Sequence, residues 1–251
     1  MTPSWIVPEW PAPSSVRALS TLRSSGASAA PYASLNLGGH VGDAAAAVAE
    51  NRRRLVAAAR LPAEPTWLTQ VHATHVADID AGDPLVAADA CFSRKPGRVC
   101  AILTADCLPV LLAADSGTLV AAAHAGWRGL AGGVIEALVM ALPVPPATLM
   151  AWLGPCIGPQ HFEVGAEVRQ AFLERDAGAE DAFLPNSRGR FLADLDELAR
   201  GRLAALGIDR VYGGGRCTFA GEDRFFSHRR DGITGRQATL IWLDSDHRFT
   251  L

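Results

Sequence analysis

Two short apolar runs that share one turn constrain this fold more than any other stretch of the sequence. Residues 108–114 and 118–123 are mostly aliphatic, and Asp115-Ser116-Gly117 between them is typical of a tight turn. Runs of this length and spacing pair as antiparallel strands. The sequence therefore predicts a buried β-hairpin.

A cysteine and a histidine lie at one end of the predicted hairpin. With the turn near Ser116, Cys107 and His124 come close to facing each other, and their Cβ atoms should lie about 5–8 Å apart. A thiolate and an imidazole that bind one zinc ion need donor atoms about 3.6 Å apart, which these side chains can reach. The alternative is a buried cysteine beside a hydrogen-bonded core histidine. The polar neighbours of both residues are typical of loops at strand ends, which favours a functional site.

The segment after His124 predicts one helix over residues 130–142. Its apolar positions recur at helical spacing, at Leu130, Val134, Leu138 and Leu142. The helix would begin near Gly129, so its free N–H groups would lie beside His124 and Arg128. We therefore predict an anion pocket there, suited to phosphate or carboxylate.

Composition limits the class of protein. The 251 residues are 49% hydrophobic and 20% charged, which suits a single domain over residues 1–251 with 1–16 as an extended proline-rich lead-in. The net charge of -3 gives no basis for nucleic-acid binding, and no apolar stretch reaches the length of a membrane span. With no export signal, the five cysteines suggest a cytoplasmic protein without disulfides.

The rest of the sequence predicts strands and helices in a mixed order. Strands are expected at 66–80, 86–92, 99–104, 148–154, 210–212 and 238–243. Helices are expected at 44–60, capped by Asp43, at 163–175, and from Asp194 to Gly207. In the first strand, the period of two places Gln70 and His72 on one face. This order predicts the α+β class, as a layered α/β sandwich of mixed, largely antiparallel sheets flanked by helices.

Five ordered motifs resemble one family. They are TQVH, TADCLPVLL, HAGWRGL, GPCIGP..FEVG and FFSHRRDGITGRQ, and they are similar to the YfiH-type laccase-domain family, also known as polyphenol oxidases and purine nucleoside phosphorylases. The resemblance implies a fold related to the catalytic domain of cytotoxic necrotizing factor. It also implies a zinc ion held by His72, Cys107 and His124. Three protein ligands would leave a fourth position for water or substrate.

The first functional hypothesis, implied by the resemblance, is phosphorolysis of adenosine, inosine and methylthioadenosine, with adenosine deamination as a second activity. Phosphorolysis needs phosphate oriented at the anomeric carbon of the sugar. Deamination needs a zinc-activated water and a proton shuttle. Asp106 is the candidate shuttle, and the candidate catalytic residues are Cys107, His124 and Asp106. The candidate substrate-binding residues are Arg23, Asn36, Gln70, Arg128, Arg229 and Arg236.

Three alternatives remain open from the sequence. Copper-dependent oxidation of phenols would need several histidine-rich sites, whereas the seven histidines are scattered. A cysteine hydrolase or amidase, with a peptidoglycan-editing role, would use Cys107 as nucleophile and His124 as base. A binding module with a structural metal would need four protein ligands.

Overall fold

The computed structural model describes residues 2–82 and 87–244, and across these residues the chain forms fourteen strands in three sheets. The strands are β1 Trp5–Ile6, β2 Val16–Thr21, β3 Thr66–Trp67, β4 Val76–Asp78, β5 Ala90–Ser93, β6 Val99–Thr104, β7 Leu108–Ala114, β8 Val120–Ala125, β9 Leu149–Leu153, β10 Glu163–Val164, β11 Phe183–Pro185, β12 Phe191–Ala193, β13 Val211–Gly213 and β14 Gln237–Leu243. The helices are α1 Ala45–Ala59, α2 Trp127–Gly132, α3 Val134–Ala141, α4 Ala166–Leu173, α5 Leu195–Ala205 and α6 His228–Asp231, with 3-10 turns at Pro146–Thr148 and Ala177–Ala182. Among these residues, no helix combines the length and the apolar character that crossing a membrane requires.

Two large sheets stack face to face between layers of helix. One has the strand order β1-β2-β14-β6-β3 and the other β13-β9-β7-β8-β5-β4, with a small sheet β10-β12-β11 at the side. Most neighbouring strands are antiparallel, and the parallel pairs are β3 with β6, β4 with β5, and β9 with β13. The prediction of a mixed α+β fold with largely antiparallel sheets is confirmed.

Strand alternation divides the core into three layers. In β7, Leu112 faces the helices α3 and α5, whereas Leu111 faces the sheet that contains β6 and β14. In β6, Ile102 lies between the sheets and Leu103 packs toward α1. Because both faces of these strands are covered, their sequences are continuously apolar rather than alternating.

The central hairpin is confirmed with the expected geometry. Strands β7 and β8 pair antiparallel, with Pro109 opposite His124 and Leu108 opposite Ala125. Cys107 directly precedes β7, so it lies at the same end of the hairpin as His124. Both strands of the hairpin are buried, and they place two reactive side chains at one edge of the core.

Three helix predictions need correction. The helix expected over 163–175 is the shorter α4, because Glu163–Val164 form the strand β10. The helix expected over 130–142 begins at Trp127 and breaks at Gly133, whose φ of 97° ends α2 and starts α3. Asp43 does not cap α1, since Ala44 is the N-cap residue. The Asp43 carboxylate instead accepts hydrogen bonds from the Ser28 hydroxyl (2.6 Å) and the Asn36 amide (2.9 Å), which hold the preceding loop together. By contrast, the helix expected from Asp194 is confirmed as α5, with Asp194 as its N-cap residue.

Three strand predictions also differ from the structure. The lead-in at 1–16 contains β1, which pairs with β2 at the edge of a sheet. The strand expected at 66–80 is two short strands, β3 and β4, in different sheets, joined by a loop that carries His72. The strand expected from residue 86 begins at Ala90, and residue 86 lies outside the described residues.

Candidate metal centre

Three side chains from separate parts of the fold converge beside the hairpin. His72 lies in the loop between β3 and β4, Cys107 between β6 and β7, and His124 in β8. Their donor atoms all lie within 4.8 Å of one another, and Cys107 Sγ is 4.0 Å from His72 Nε2. The two imidazole rings meet edge to face, with centroids 4.8 Å apart. Within 2–82 and 87–244, this is the one cluster of three such side chains with a spacing that suits a metal ion.

Asp89 holds both histidines, and it was not among the residues predicted from the sequence. Its carboxylate accepts a hydrogen bond of 2.8 Å from His124 Nδ1 and one of 3.0 Å from the backbone N–H of His72. The sequence carried one signal for Asp89, which directly precedes the apolar residues of β5. An acidic side chain in such a place is rarely buried without a partner.

The electrostatics of the cluster stabilise a thiolate beside a charged imidazole. Burial opposes ionisation of Cys107, but the His124 charge and hydrogen bonds from both histidines lower the pKa of the thiol to about 6. Burial also opposes the charge on His124, but Cys107 and Asp89 raise its pKa to about 9. For Asp89, hydrogen bonds from His124 and backbone amides outweigh the effect of burial and lower its pKa.

The donor set suits a transition-metal ion. A thiolate and imidazoles are ligands that zinc and copper accept. A tetrahedral zinc site needs donors about 3.6 Å apart, compared with 4.0 Å between Cys107 Sγ and His72 Nε2 and at most 4.8 Å within the cluster. Gly126 keeps the space beside these donors free, since a Cβ atom there would lie 2.8 Å from Cys107 Sγ and 3.3 Å from His72 Cδ2. Three protein donors leave a position open, which is the arrangement of catalytic rather than structural zinc sites.

A basic cavity of about 310 Å³ opens onto the cluster. Its lining comprises His40, Gln70, His72, Leu103, Thr104, Ala105, Cys107, His124, Arg128, His228 and Arg236. The volume lies in the range of small-molecule sites. Gln70, Arg128 and Arg236 were predicted to bind substrate, whereas His40 and His228 were not among the predicted residues, although His228 lies within the FFSHRRDGITGRQ motif. A larger groove of about 630 Å³ runs along α1, but its lining is mainly alanine, valine and arginine and contains no metal donor pair or nucleophile.

Two of the arginines predicted to bind substrate are used elsewhere. The Arg23 guanidinium donates to the carbonyl of Ala33 and lies 4.7 Å from the centroid of the Phe226 ring. Arg229 donates to the carbonyl of Glu163. Neither lines the cavity, and both donate to backbone carbonyls of neighbouring loops.

Asn36 and Asp106 also lie outside the lining of the cavity. The Asn36 side chain accepts a hydrogen bond of 2.9 Å from the backbone N–H of Arg236, so it supports a residue that does line the cavity. The carboxylate of Asp106, predicted as a proton shuttle, accepts from the Thr218 hydroxyl (2.7 Å) and the backbone N–H of Arg229 (2.6 Å). Asp106 has a φ of 91°, and its turn leads directly into Cys107.

Comparison with known families identifies the class of protein. The model of the family described as multi-copper polyphenol oxidoreductase laccase matches residues 17–244. The chain belongs to this family, and the resemblance read from its motifs is confirmed.

The relatives carry the name of a different enzyme. A purine nucleoside phosphorylase of Pseudomonas aeruginosa is 56% identical over 96% of this chain and 98% of its own length. The purine nucleoside phosphorylase YfiH of Escherichia coli is 52% identical over 95% of this chain and 98% of its own length. A solved structure from Neisseria meningitidis is 48% identical, with a TM-score of 0.92 over 96% of this chain and 99% of that one.

Proposed function

We propose that this chain is a metal-dependent purine nucleoside phosphorylase, folded as a single catalytic domain over residues 1–251. The observation that carries the proposal is the three-donor cluster of His72, Cys107 and His124, which opens into a cavity lined by arginine. The names of the relatives support the same activity. The proposed partners are purine nucleosides and phosphate.

The arginines of the cavity would bind the phosphate. In phosphorolysis a phosphate oxygen forms a bond to the anomeric carbon of the sugar while the bond from that carbon to the purine breaks. Arg128 and Arg236 line the cavity with the metal donors and would orient the anion at that carbon. Arg236 is held by Asn36 and by hydrogen bonds from its guanidinium to the carbonyls of Thr234 and Gly235, so the phosphate would meet a fixed charge.

The metal centre also supports the proposed second activity, adenosine deamination. Zinc is the proposed ion, and when bound it would supply a Lewis acid and lower the pKa of a bound water. His72, Cys107 and His124 would hold it and leave the cavity side open to substrate. Asp106 is not in contact with the cavity, so its proposed part is to position Cys107 through the turn that they share.

The experiment is a product analysis of purified protein with a measured metal content. The protein is incubated with adenosine, inosine or methylthioadenosine, with and without phosphate, and the products are separated by chromatography. We expect free base and ribose 1-phosphate from adenosine and inosine only when phosphate is present, and inosine from adenosine by deamination. A fully zinc-loaded protein that forms none of these products would refute the proposal.

A specific observation favours a cysteine hydrolase as the second candidate function. Asp89, His124 and Cys107 are arranged in the order of an acid, a base and a nucleophile, with 2.8 Å between Asp89 Oδ1 and His124 Nδ1. An amidase of this kind would act on a peptide-like substrate such as peptidoglycan. Metal content distinguishes the candidates, because a thiolate bound to zinc is not free to attack. Chelation should therefore activate the hydrolase and inactivate the phosphorylase. Copper-dependent phenol oxidation, suggested by the name of the family, predicts activity with copper and oxygen instead.

A further inference from the structure

Asp89 is a fully buried carboxylate, and aspartate is rarely buried without a partner. It lies one residue before β5 and is not one of the three donors of the cluster. Its backbone carbonyl accepts a hydrogen bond of 2.6 Å from the N–H of His124, so the strand pairing already binds it to that histidine. The side chain adds further bonds on the side of the metal donors.

The Asp89 carboxylate is saturated with donors. Oδ1 accepts from His124 Nδ1 (2.8 Å) and from the backbone N–H of His72 (3.0 Å). Oδ2 accepts from the backbone N–H groups of Val71 (3.1 Å) and Ala73 (2.8 Å). Every partner is a donor, so this position needs a group that only accepts. An ionised carboxylate is such a group, whereas an amide is not.

These bonds act on both histidines at once. Because Nδ1 of His124 donates to Asp89, Nε2 is the nitrogen left to bind a metal ion. The amides of residues 71–73 wrap around the same carboxylate, and His72 takes a left-handed φ of 60° at the centre of this turn. Left-handed backbone is uncommon for residues other than glycine, although histidine adopts it more readily than most, and it needs support from its surroundings.

We propose that Asp89 is the positioning residue of the metal centre: one acceptor-only carboxylate selects Nε2 of His124 as a ligand and holds the His72 turn over the hairpin. The inference rests on the proposed metal centre and goes beyond it by assigning the ligand geometry to a residue that touches neither metal nor substrate. Asp89→Asn would place an amide N–H against at least one N–H donor, whichever way the amide is turned.

The test measures metal affinity rather than catalysis. Zinc binding to wild type and Asp89→Asn is measured by competition with a chromogenic chelator, and cobalt binding by the thiolate-to-cobalt absorption of Cys107. We expect affinity to fall by about 10- to 100-fold in Asp89→Asn, the effect typical of losing a carboxylate behind a ligating histidine. We also expect altered cobalt ligand-field bands.

Asp80→Asn is the matched control. Asp80 serves the other end of β5, where its carboxylate accepts from the Ser93 hydroxyl (2.6 Å) and the N–H of Arg94 (2.8 Å), and its side chain is 3% exposed. Neither of these two hydrogen bonds involves His72 or His124. We expect Asp80→Asn to bind zinc like wild type, even where its melting temperature falls as far as that of Asp89→Asn.

The outcomes separate this inference from the proposal on which it rests. Unchanged zinc affinity in Asp89→Asn, with normal binding by wild type, would overturn the role of Asp89 alone. Wild type that takes up neither metal would overturn the metal centre as well. If Asp89→Asn does not fold, nitrogen NMR of zinc-loaded wild type decides. A slowly exchanging proton on His124 Nδ1 with the metal on Nε2 supports the role, and the reverse arrangement overturns it.

Discussion

Gly126 offers a sharp test of the metal centre, because replacing it changes no ligand. Its φ of -61° and ψ of 156° are open to alanine, so Gly126→Ala should introduce no backbone strain. The new Cβ would, however, lie 2.8 Å from Cys107 Sγ. Carbon contacts are favourable at about 3.5–4.0 Å, so the sulfur and the Cβ must separate by about 1 Å.

The magnitude follows from this displacement. Moving a catalytic group by about 1 Å costs about 100-fold in rate, which corresponds to about 2.7 kcal/mol. Overpacking of a well-packed site costs about 1–3 kcal/mol of folding free energy. Gly126→Ala should therefore remain folded while zinc affinity and the kcat/KM for phosphorolysis both fall.

Gly201→Ala is the matched control for this prediction. Gly201 lies inside α5, and a Cβ there would meet no atom within 4 Å. This substitution should raise the free energy of unfolding by about 0.5–1 kcal/mol, because alanine favours the helix, and should leave zinc binding unchanged. The assays are chelator competition, steady-state kinetics and urea unfolding of both variants. A Gly126→Ala protein with the zinc affinity and kcat/KM of wild type would refute this account of the cluster.

Four further predictions address the site and the fold. Cys107→Ala should lose zinc and activity yet keep nearly the unfolding free energy of metal-free wild type, because the residue is half-buried at a strand end; retained zinc would contradict the ligand assignment. Arg128→Ala should raise the apparent KM for phosphate, which initial rates at varied phosphate will show; an unchanged KM would remove Arg128 from the anion site. Asp194→Ala should lower the free energy of unfolding by about 1 kcal/mol through loss of the α5 cap, measured with urea. Burial raises the pKa of Asp196, so the folded state holds this proton more tightly than the unfolded chain and loses stability as the pH rises above the ordinary Asp pKa. Asp196→Asn, which keeps the position neutral, should be more stable than wild type at pH 7 in urea unfolding and lose that advantage toward pH 4.

Local patterns predicted the elements that carry their own signal. The hairpin of β7 and β8 has two apolar runs and a turn, and α5 has a capping aspartate at Asp194 and a helical spacing. The strand β6 was predicted with its observed bounds. These elements follow from propensity and periodicity, which act over a few residues.

The loop around His72 shows where local patterns fail. Its residues alternate like a strand, but the amides of residues 71–73 bind Asp89 instead of a neighbouring strand. A carboxylate at a distant position in the sequence thus overrides the local preference. The histidine could be assigned to the site only through the resemblance to a family.

The sequence by itself determined the layered α+β class, the central hairpin, and the placement of Cys107 and His124 at one end of it. It did so because strand pairing across a short turn is a local event whose register the turn defines. Only the tertiary structure decided which of the arginines line the cavity and which hold loops, and that Asp89 binds both histidines. Those outcomes depend on which buried donors lack acceptors once the sheets have stacked, and most such groups then find partners on segments that the stacking brings together.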